Sequence, residues 1–110
     1  MTKITIFRDS DNVIRRFLVE GHAGFDVSGK DIVCASISML TLNTINAIEK
    51  FTDDGFKVDV NEKKAFVEFE LTQDEPSAET KVLLEALVMG YVGVNNEFGK
   101  RYIKIIFKEV

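Results

Sequence analysis

The stretch that decides the fold is DIVCASISMLTLNTINAIEKF, residues 31 to 51. Its apolar side chains recur every three or four positions, which is the spacing of one face of an α-helix. Asp31 suits the N-cap of this helix, although Ser28 followed three residues later by Asp31 also fits a capping box. We therefore predict an amphipathic helix from about Asp31 to Phe51, ending near Asp53-Asp54-Gly55.

Two pairs of alternating segments flank this helix. Lys3 to Asp9 and Val13 to Glu20 alternate apolar and polar side chains, and the residues between them have the composition of a turn. Phe56 to Asn61 and Ala65 to Leu71 alternate in the same way after the helix. The pattern predicts two β-hairpins whose sheet buries one face and leaves the other in water.

A second helix follows the chain's single proline, Pro76. Ser77 can cap it, and its apolar positions extend to Val94. Gly90 and Gly93 inside it each cost about 1 kcal/mol relative to alanine. We expect them to allow close approach to the first helix, with a bend or a dimer contact as the alternative.

A last alternating segment, Tyr102 to Lys108, predicts a final strand. The element order is then β-β-α-β-β-α-β, without a repeat or a linker. We predict an α+β fold in a single domain of residues 1–110, with one mainly antiparallel sheet and two helices packed against it.

The amino-acid composition limits the classes of molecule that this protein is expected to bind. The net charge of −4 and a pI near 5.0 argue against direct nucleic-acid binding, since the basic pairs Arg15-Arg16 and Lys100-Arg101 fit solvated strand edges or termini better than a basic face. No apolar run approaches the ~18 residues of a membrane span, so we expect no membrane association.

One cysteine and no signal peptide fit a reducing cytoplasm. One histidine and one cysteine fall short of a metal site, and we expect no cofactor.

The only histidine and the only cysteine lie twelve positions apart, as His22 and Cys34. Imidazole can take the proton of a thiol, and a thiolate is further stabilised in the first turns of a helix. The segment from Gly21 to Lys30 holds three glycines, Gly21, Gly24 and Gly29, and reads as a mobile loop that can bring His22 to Cys34. The pattern predicts a nucleophilic cysteine with a histidine base.

Two further side chains are candidates for supporting roles. Asp31 either orients His22 or only caps the helix, and the two roles are compatible. Ser38, one turn after Cys34, either bonds near the sulfur or bonds back to the Cys34 carbonyl. Backbone N–H groups around Cys34 are the expected oxyanion donors.

These motifs, Gly-His-Ala at 21–23, Asp-Ile-Val-Cys-Ala-Ser-Ile-Ser at 31–38 and Asn-Ala-Ile at 46–48, resemble the ribosomal-processing cysteine proteases of Firmicute-type bacteria. Ser28 departs from the bulky aromatic residue frequent in that family. The resemblance spans essentially the whole chain. It implies a cytoplasmic endopeptidase that removes the N-terminal extension of a large-subunit ribosomal protein, and a homodimer whose catalytic pair is His22 and Cys34.

The resemblance also implies an aromatic substrate residue just before the cut, for which Phe25 and Thr41 are candidate pocket residues. A basic ribosomal protein would suit an acidic enzyme. The alternative function is a non-catalytic ribosome-assembly or peptide-binding module with an inert Cys34. A redox sensor fits less well, because a second, resolving cysteine is absent.

Overall fold

In the computed structural model, which describes residues 1–21, 31–99 and 101–110, five strands and two helices follow one another in the predicted order. They are β1 (Thr2–Arg8), β2 (Ile14–Glu20), α1 (Ile32–Phe51), β3 (Phe56–Asn61), β4 (Phe66–Leu71), α2 (Ala78–Phe98) and β5 (Ile103–Glu109). The element boundaries differ from the expected ones by at most one residue, except that α2 continues to Phe98, four residues beyond the expected Val94.

The strands form one sheet in the order β3-β4-β2-β1-β5. Three neighbouring pairs are antiparallel, and only β5 runs parallel to its neighbour β1. The β1–β2 turn is built around Asp9, whose carboxylate accepts the N–H groups of Asp11 and Val13. The α+β prediction with a mainly antiparallel sheet is confirmed.

The core lies between the helices and one face of the sheet. Phe17 and Phe69 pair across β2 and β4, and their buried rings stack with centroids 5.0 Å apart. Each helix contributes apolar side chains from one face to the same cluster: Val33, Ile37, Ile45, Ile48, Leu84, Leu87, Val88 and Tyr91. The three-to-four spacing of apolar residues in the sequence therefore corresponds to one buried stripe along each helix.

The two helices contact each other closely at Gly90. A Cβ atom there would lie 3.0 Å from a methyl carbon of Leu40, so α1 packs directly on this position. Gly93 has no atom outside its own helix within 4 Å of the place of a Cβ atom, and it is exposed. Close approach between the helices therefore accounts for Gly90 but not for Gly93.

A hydrogen-bonded carboxylate joins the end of α1 to the start of α2. Asp54 accepts the backbone N–H of Ser77 at 2.9 Å, the Ser77 hydroxyl at 2.6 Å, the Gln73 amide at 2.6 Å and the Thr80 hydroxyl. Ser77 is also the N-cap of α2, as predicted. The Ser77 and Thr80 hydroxyls hold the pKa of Asp54 below its ordinary value. This cluster fixes where α2 begins relative to α1.

Strand β3 departs from the expectation of one buried face. Val58 and Val60 are 39% and 51% exposed, because β3 lies at the edge of the sheet and is not among the elements that the helices contact extensively. The alternating pattern predicted the strand correctly, but it could not show that the helices leave the side chains of this strand uncovered. Val60 also lines the pocket beside Cys34 that is described below.

The paired arginines are not at a strand edge, because β2 lies inside the sheet. Arg15 donates to the backbone carbonyl of Gln73, and Arg16 forms an ion pair with Glu68. The Arg16 guanidinium also lies 4.6 Å from the ring centroid of Phe7. Both arginines therefore have partners within the fold.

By length and composition alone, α1 could cross a membrane: it has 20 residues and a mean hydropathy of 1.4. This differs from the expectation that no segment is apolar enough. The core helix of a soluble protein passes the same test, and a third of this segment is buried inside the protein.

Candidate active site

Asp31 and Cys34 meet at the start of α1. Asp31 is the N-cap residue, and its Oδ1 atom accepts the backbone N–H of Cys34 at 2.9 Å. Its backbone carbonyl accepts the N–H of Ala35 at 3.0 Å. The capping role of Asp31 is therefore present, and Cys34 lies in the first turn as predicted.

Two of the backbone N–H groups expected as oxyanion donors already have a hydrogen-bond partner. The N–H groups of Cys34 and Ala35 are both engaged by Asp31, so neither is available to a reacting carbonyl in this conformation. Any use of the Cys34 N–H in catalysis requires that Asp31 release it.

Gly21 anchors the chain immediately before His22. Its φ is +82°, and its N–H donates at 2.8 Å to the carbonyl of Ala65, the residue just before β4. A Cβ atom at this position would lie 2.8 Å from the Met1 carbonyl oxygen. Glycine is required here both by the backbone angle and by the space.

Several predicted residues lie outside the described residues. They are His22, Gly24, Phe25, Ser28 and Gly29 in the segment after Gly21, and Lys100. The proposed approach of His22 to Cys34, the orienting role of Asp31 and the mobility expected for the loop therefore stay predictions.

A pocket of about 320 Å³ opens beside Cys34. One wall is a single face of α1, and the other is formed by β2 and the β3–β4 hairpin. The lining is mainly apolar and includes Ile37, Leu42, Val19, Val60 and Val67. Pockets of this size and character hold side chains or small ligands. The thiol residue thus lies at the edge of a preformed apolar cavity.

Ser38 and Thr41 continue this pocket wall along α1. Ser38 is exposed. In this part of the helix it is the hydroxyl of Ser36, rather than that of Ser38, that bonds back one turn, to the Ile32 carbonyl at 2.7 Å. Thr41 is buried, and its hydroxyl lies 2.5 Å from the hydroxyl of Tyr91. Burial raises the pKa of Tyr91 well above its ordinary value, so the phenol stays protonated.

Within the described residues, no group of three or more histidine, cysteine, aspartate or glutamate side chains is arranged to hold a metal ion. The chemistry of this region therefore has to be argued from the thiol, the hydroxyls and the backbone.

Comparison with known proteins identifies the family of this chain. The family model described as cysteine protease Prp matches residues 1–104. The chain belongs to this family. It is thus a cysteine protease, with Cys34 as its only cysteine.

Individual relatives agree in length and fold. The ribosomal processing cysteine protease Prp of Bacillus subtilis (strain 168) is 27% identical over 101 residues, which are 89% of this chain and 90% of that protein. The S. aureus Prp structure with a covalently linked product peptide has a TM-score of 0.91 at 20% identity, covering 98% of this chain and all of that one. A Streptococcus mutans protein has a TM-score of 0.86 at 23% identity, covering all of this chain and 96% of that one.

Sequence reasoning missed most of the pocket in this Prp-family chain. Val19 lies in β2 and Val67 in β4, and no local pattern indicates that they border a cavity beside Cys34. Thr41 was a candidate for the pocket, and it does line the cavity. The available signal was its position seven residues after Cys34, which is two turns along the same helix face.

Proposed function

We propose that this protein is an endopeptidase that removes the N-terminal extension of a large-subunit ribosomal protein, with Cys34 as nucleophile and His22 as general base. The observation that carries the proposal is the position of Cys34 in the first turn of α1, at the edge of an apolar pocket. The Bacillus subtilis relative is named as a ribosomal processing protease. A peptide side chain in the pocket would hold the scissile bond near the sulfur.

The proposed reaction has two stages. His22 takes the proton of the Cys34 thiol, and the thiolate attacks the peptide carbonyl carbon. The imidazolium then gives this proton to the leaving amine as the peptide C–N bond breaks, which leaves the N-terminal fragment as a thioester on Cys34. Water, deprotonated by His22, attacks the thioester, and the returning proton regenerates the thiol.

Asp31 and Ser38 are proposed as supporting residues. Asp31 fixes the first turn through the Cys34 N–H, and it would orient the His22 imidazolium if its carboxylate turned to that ring. Ser38 lines the pocket one turn after Cys34, where its hydroxyl can bond to a peptide group of the substrate. Both roles leave the nucleophile and the base unchanged.

Charge and surface support three further parts of the proposal. The net charge of −4 favours encounter with a basic ribosomal protein and disfavours direct nucleic-acid binding. We propose a cytoplasmic protein because its lone cysteine suits a reducing compartment.

We propose a homodimer because four apolar side chains on the helices are each at least 67% exposed: Met39, Phe51, Val82 and Met89. Sedimentation equilibrium tests the homodimer, and a monomer mass at micromolar concentration would contradict it.

The test of the function is cleavage of the N-terminal extension of the large-subunit ribosomal protein from the same organism. We expect mass spectrometry to show two fragments with wild-type protein and none with Cys34→Ala or His22→Ala. Cys34→Ala removes a half-buried sulfur and should leave the circular dichroism spectrum unchanged. Wild-type cleavage rates in Cys34→Ala would refute the proposal, and binding without cleavage by wild-type protein would favour the peptide-binding module instead.

A further inference from the structure

Thr41 occupies a special place in the pocket beside Cys34. It lies on the pocket wall two turns after Cys34, and it is only 2% exposed. The pocket residues around it, including Ile37 and Leu42, are apolar. A buried hydroxyl-bearing residue in an apolar wall needs hydrogen-bond partners.

The Thr41 hydroxyl has two such partners, both away from the cavity. It donates its hydrogen to the Ile37 carbonyl one turn back at 2.7 Å. Since that hydrogen is used, the Tyr91 hydroxyl, 2.5 Å away, is the donor in the second bond. The hydroxyl is thus directed to the helix backbone and to α2, which leaves the methyl group as the part of Thr41 that meets the pocket.

Tyr91 fixes this arrangement from behind. It is fully buried on α2, next to Gly90, which packs directly against Leu40 of α1. A threonine held by two hydrogen bonds cannot rotate its methyl group out of the pocket without breaking one of them. The wall at this point is therefore rigid.

We propose that Thr41 is a specificity-determining residue, whose methyl group limits the size of the apolar substrate side chain that the pocket accepts, and that Tyr91 is its positioning residue. The inference rests on the proposed function and adds to it the residue that sets the upper size limit of the pocket. Thr41 is on the same helix face as Cys34, so the side chain it limits belongs to a residue next to the cleaved bond.

The experiment uses two single-group variants that separate the methyl from the hydroxyl. Thr41→Ser keeps the hydroxyl and removes the methyl, and Thr41→Val keeps the shape and removes the hydroxyl. The substrates are peptides that differ only in the residue before the cut: Ala, Leu, Phe or Trp. The readout is the ratio of kcat/KM for Trp to that for Leu, which does not change when a variant merely lowers the amount of folded protein.

We expect Thr41→Ser to raise the Trp to Leu ratio by about 10-fold, since one methyl group in a pocket changes selectivity by about 10-fold or more. Thr41→Val should leave the ratio within about twofold, because either of its two methyl groups can face the pocket. It should lower the melting temperature, because it leaves the Tyr91 hydroxyl unpaired. Tyr91→Phe should loosen Thr41 and move the ratio in the direction of Thr41→Ser.

Thr44→Ser is the matched control. Thr44 is a buried threonine on the same helix, bonded back to the Leu40 carbonyl at 2.8 Å, and it does not line the pocket. An unchanged ratio in Thr41→Ser, or an equal change in Thr44→Ser, would overturn the inference while cleavage by wild-type protein upheld the proposed function.

A second readout separates the two proposals further. Affinities of the same peptides for a Cys34→Ala background, measured by fluorescence anisotropy, give the size preference without catalysis. If wild-type protein cleaves no peptide, the proposed function fails, and the change in the Trp to Leu affinity ratio caused by Thr41→Ser still decides the role of Thr41.

Discussion

Replacing Gly21 by alanine should destabilise the protein and displace the chain that leads into His22. At φ +82° a residue with a Cβ atom costs about 1–2 kcal/mol. The new Cβ atom would also lie 2.8 Å from the Met1 carbonyl oxygen, a separation that forces the backbone to shift. Together these predict a loss of about 2 kcal/mol in the free energy of unfolding, or about 8 °C in melting temperature.

The same substitution at Gly93 is the control, and it should have the opposite sign. Gly93 lies within α2 with open space where a Cβ atom would go. Alanine there gains about 1 kcal/mol from helix propensity, so the melting temperature should rise by about 4 °C. The two variants carry one identical chemical change, which isolates the effect of the local backbone.

Urea unfolding followed by circular dichroism measures both free energies, and peptide cleavage measures the consequence for the site. We expect Gly21→Ala to lower kcat/KM under conditions where the variant is fully folded, because the residue that follows is the proposed base. Equal stability of Gly21→Ala and wild type would refute the reasoning, since it would mean that this position has neither the strained angle nor the close contact.

Two more variants test carboxylates by charge alone. Asp31→Asn keeps the cap, because Asn caps as well as Asp. Unchanged turnover would therefore show that Asp31 only caps the helix. A drop in turnover of about 100-fold at constant melting temperature would show that its carboxylate orients His22. Asp54 has a lowered folded-state pKa, so it contributes stability that is present above the unfolded pKa near ~3.9 and is lost as pH falls through the folded value. Asp54→Asn should therefore flatten the loss of stability in urea unfolding below about pH 4, and an acid dependence equal to that of wild type would contradict this role.

The fold could be predicted because its local signals agree with one another. The three-to-four spacing in α1 matched the face that the structure buries, and in β1 the alternate residues Ile4 and Ile6 are buried, although Thr5 on the opposite face is buried too. Asp31 and Ser77 were recognisable as caps, since capping depends on neighbours close in sequence. These features are fixed by residues within about one turn of each other.

Other features depend on contacts between distant residues, which no local pattern contains. The exposure of Val60 follows from the position of β3 at the sheet edge. The hydrogen bond between Thr41 and Tyr91 joins positions fifty apart, and the difference between Gly90 and Gly93 depends on where Leu40 lies. The engagement of the Cys34 N–H by Asp31 could have been foreseen from the cap itself, because an N-cap carboxylate accepts an N–H of the first turn.

The most direct test of the central claim is to trap the covalent intermediate on Cys34. Wild-type protein mixed with the extension peptide and quenched in acid within milliseconds should gain the mass of the N-terminal fragment less one water, and digestion should locate it at Cys34. Cleavage without any such adduct, continuing in the Cys34→Ala variant, would contradict the account.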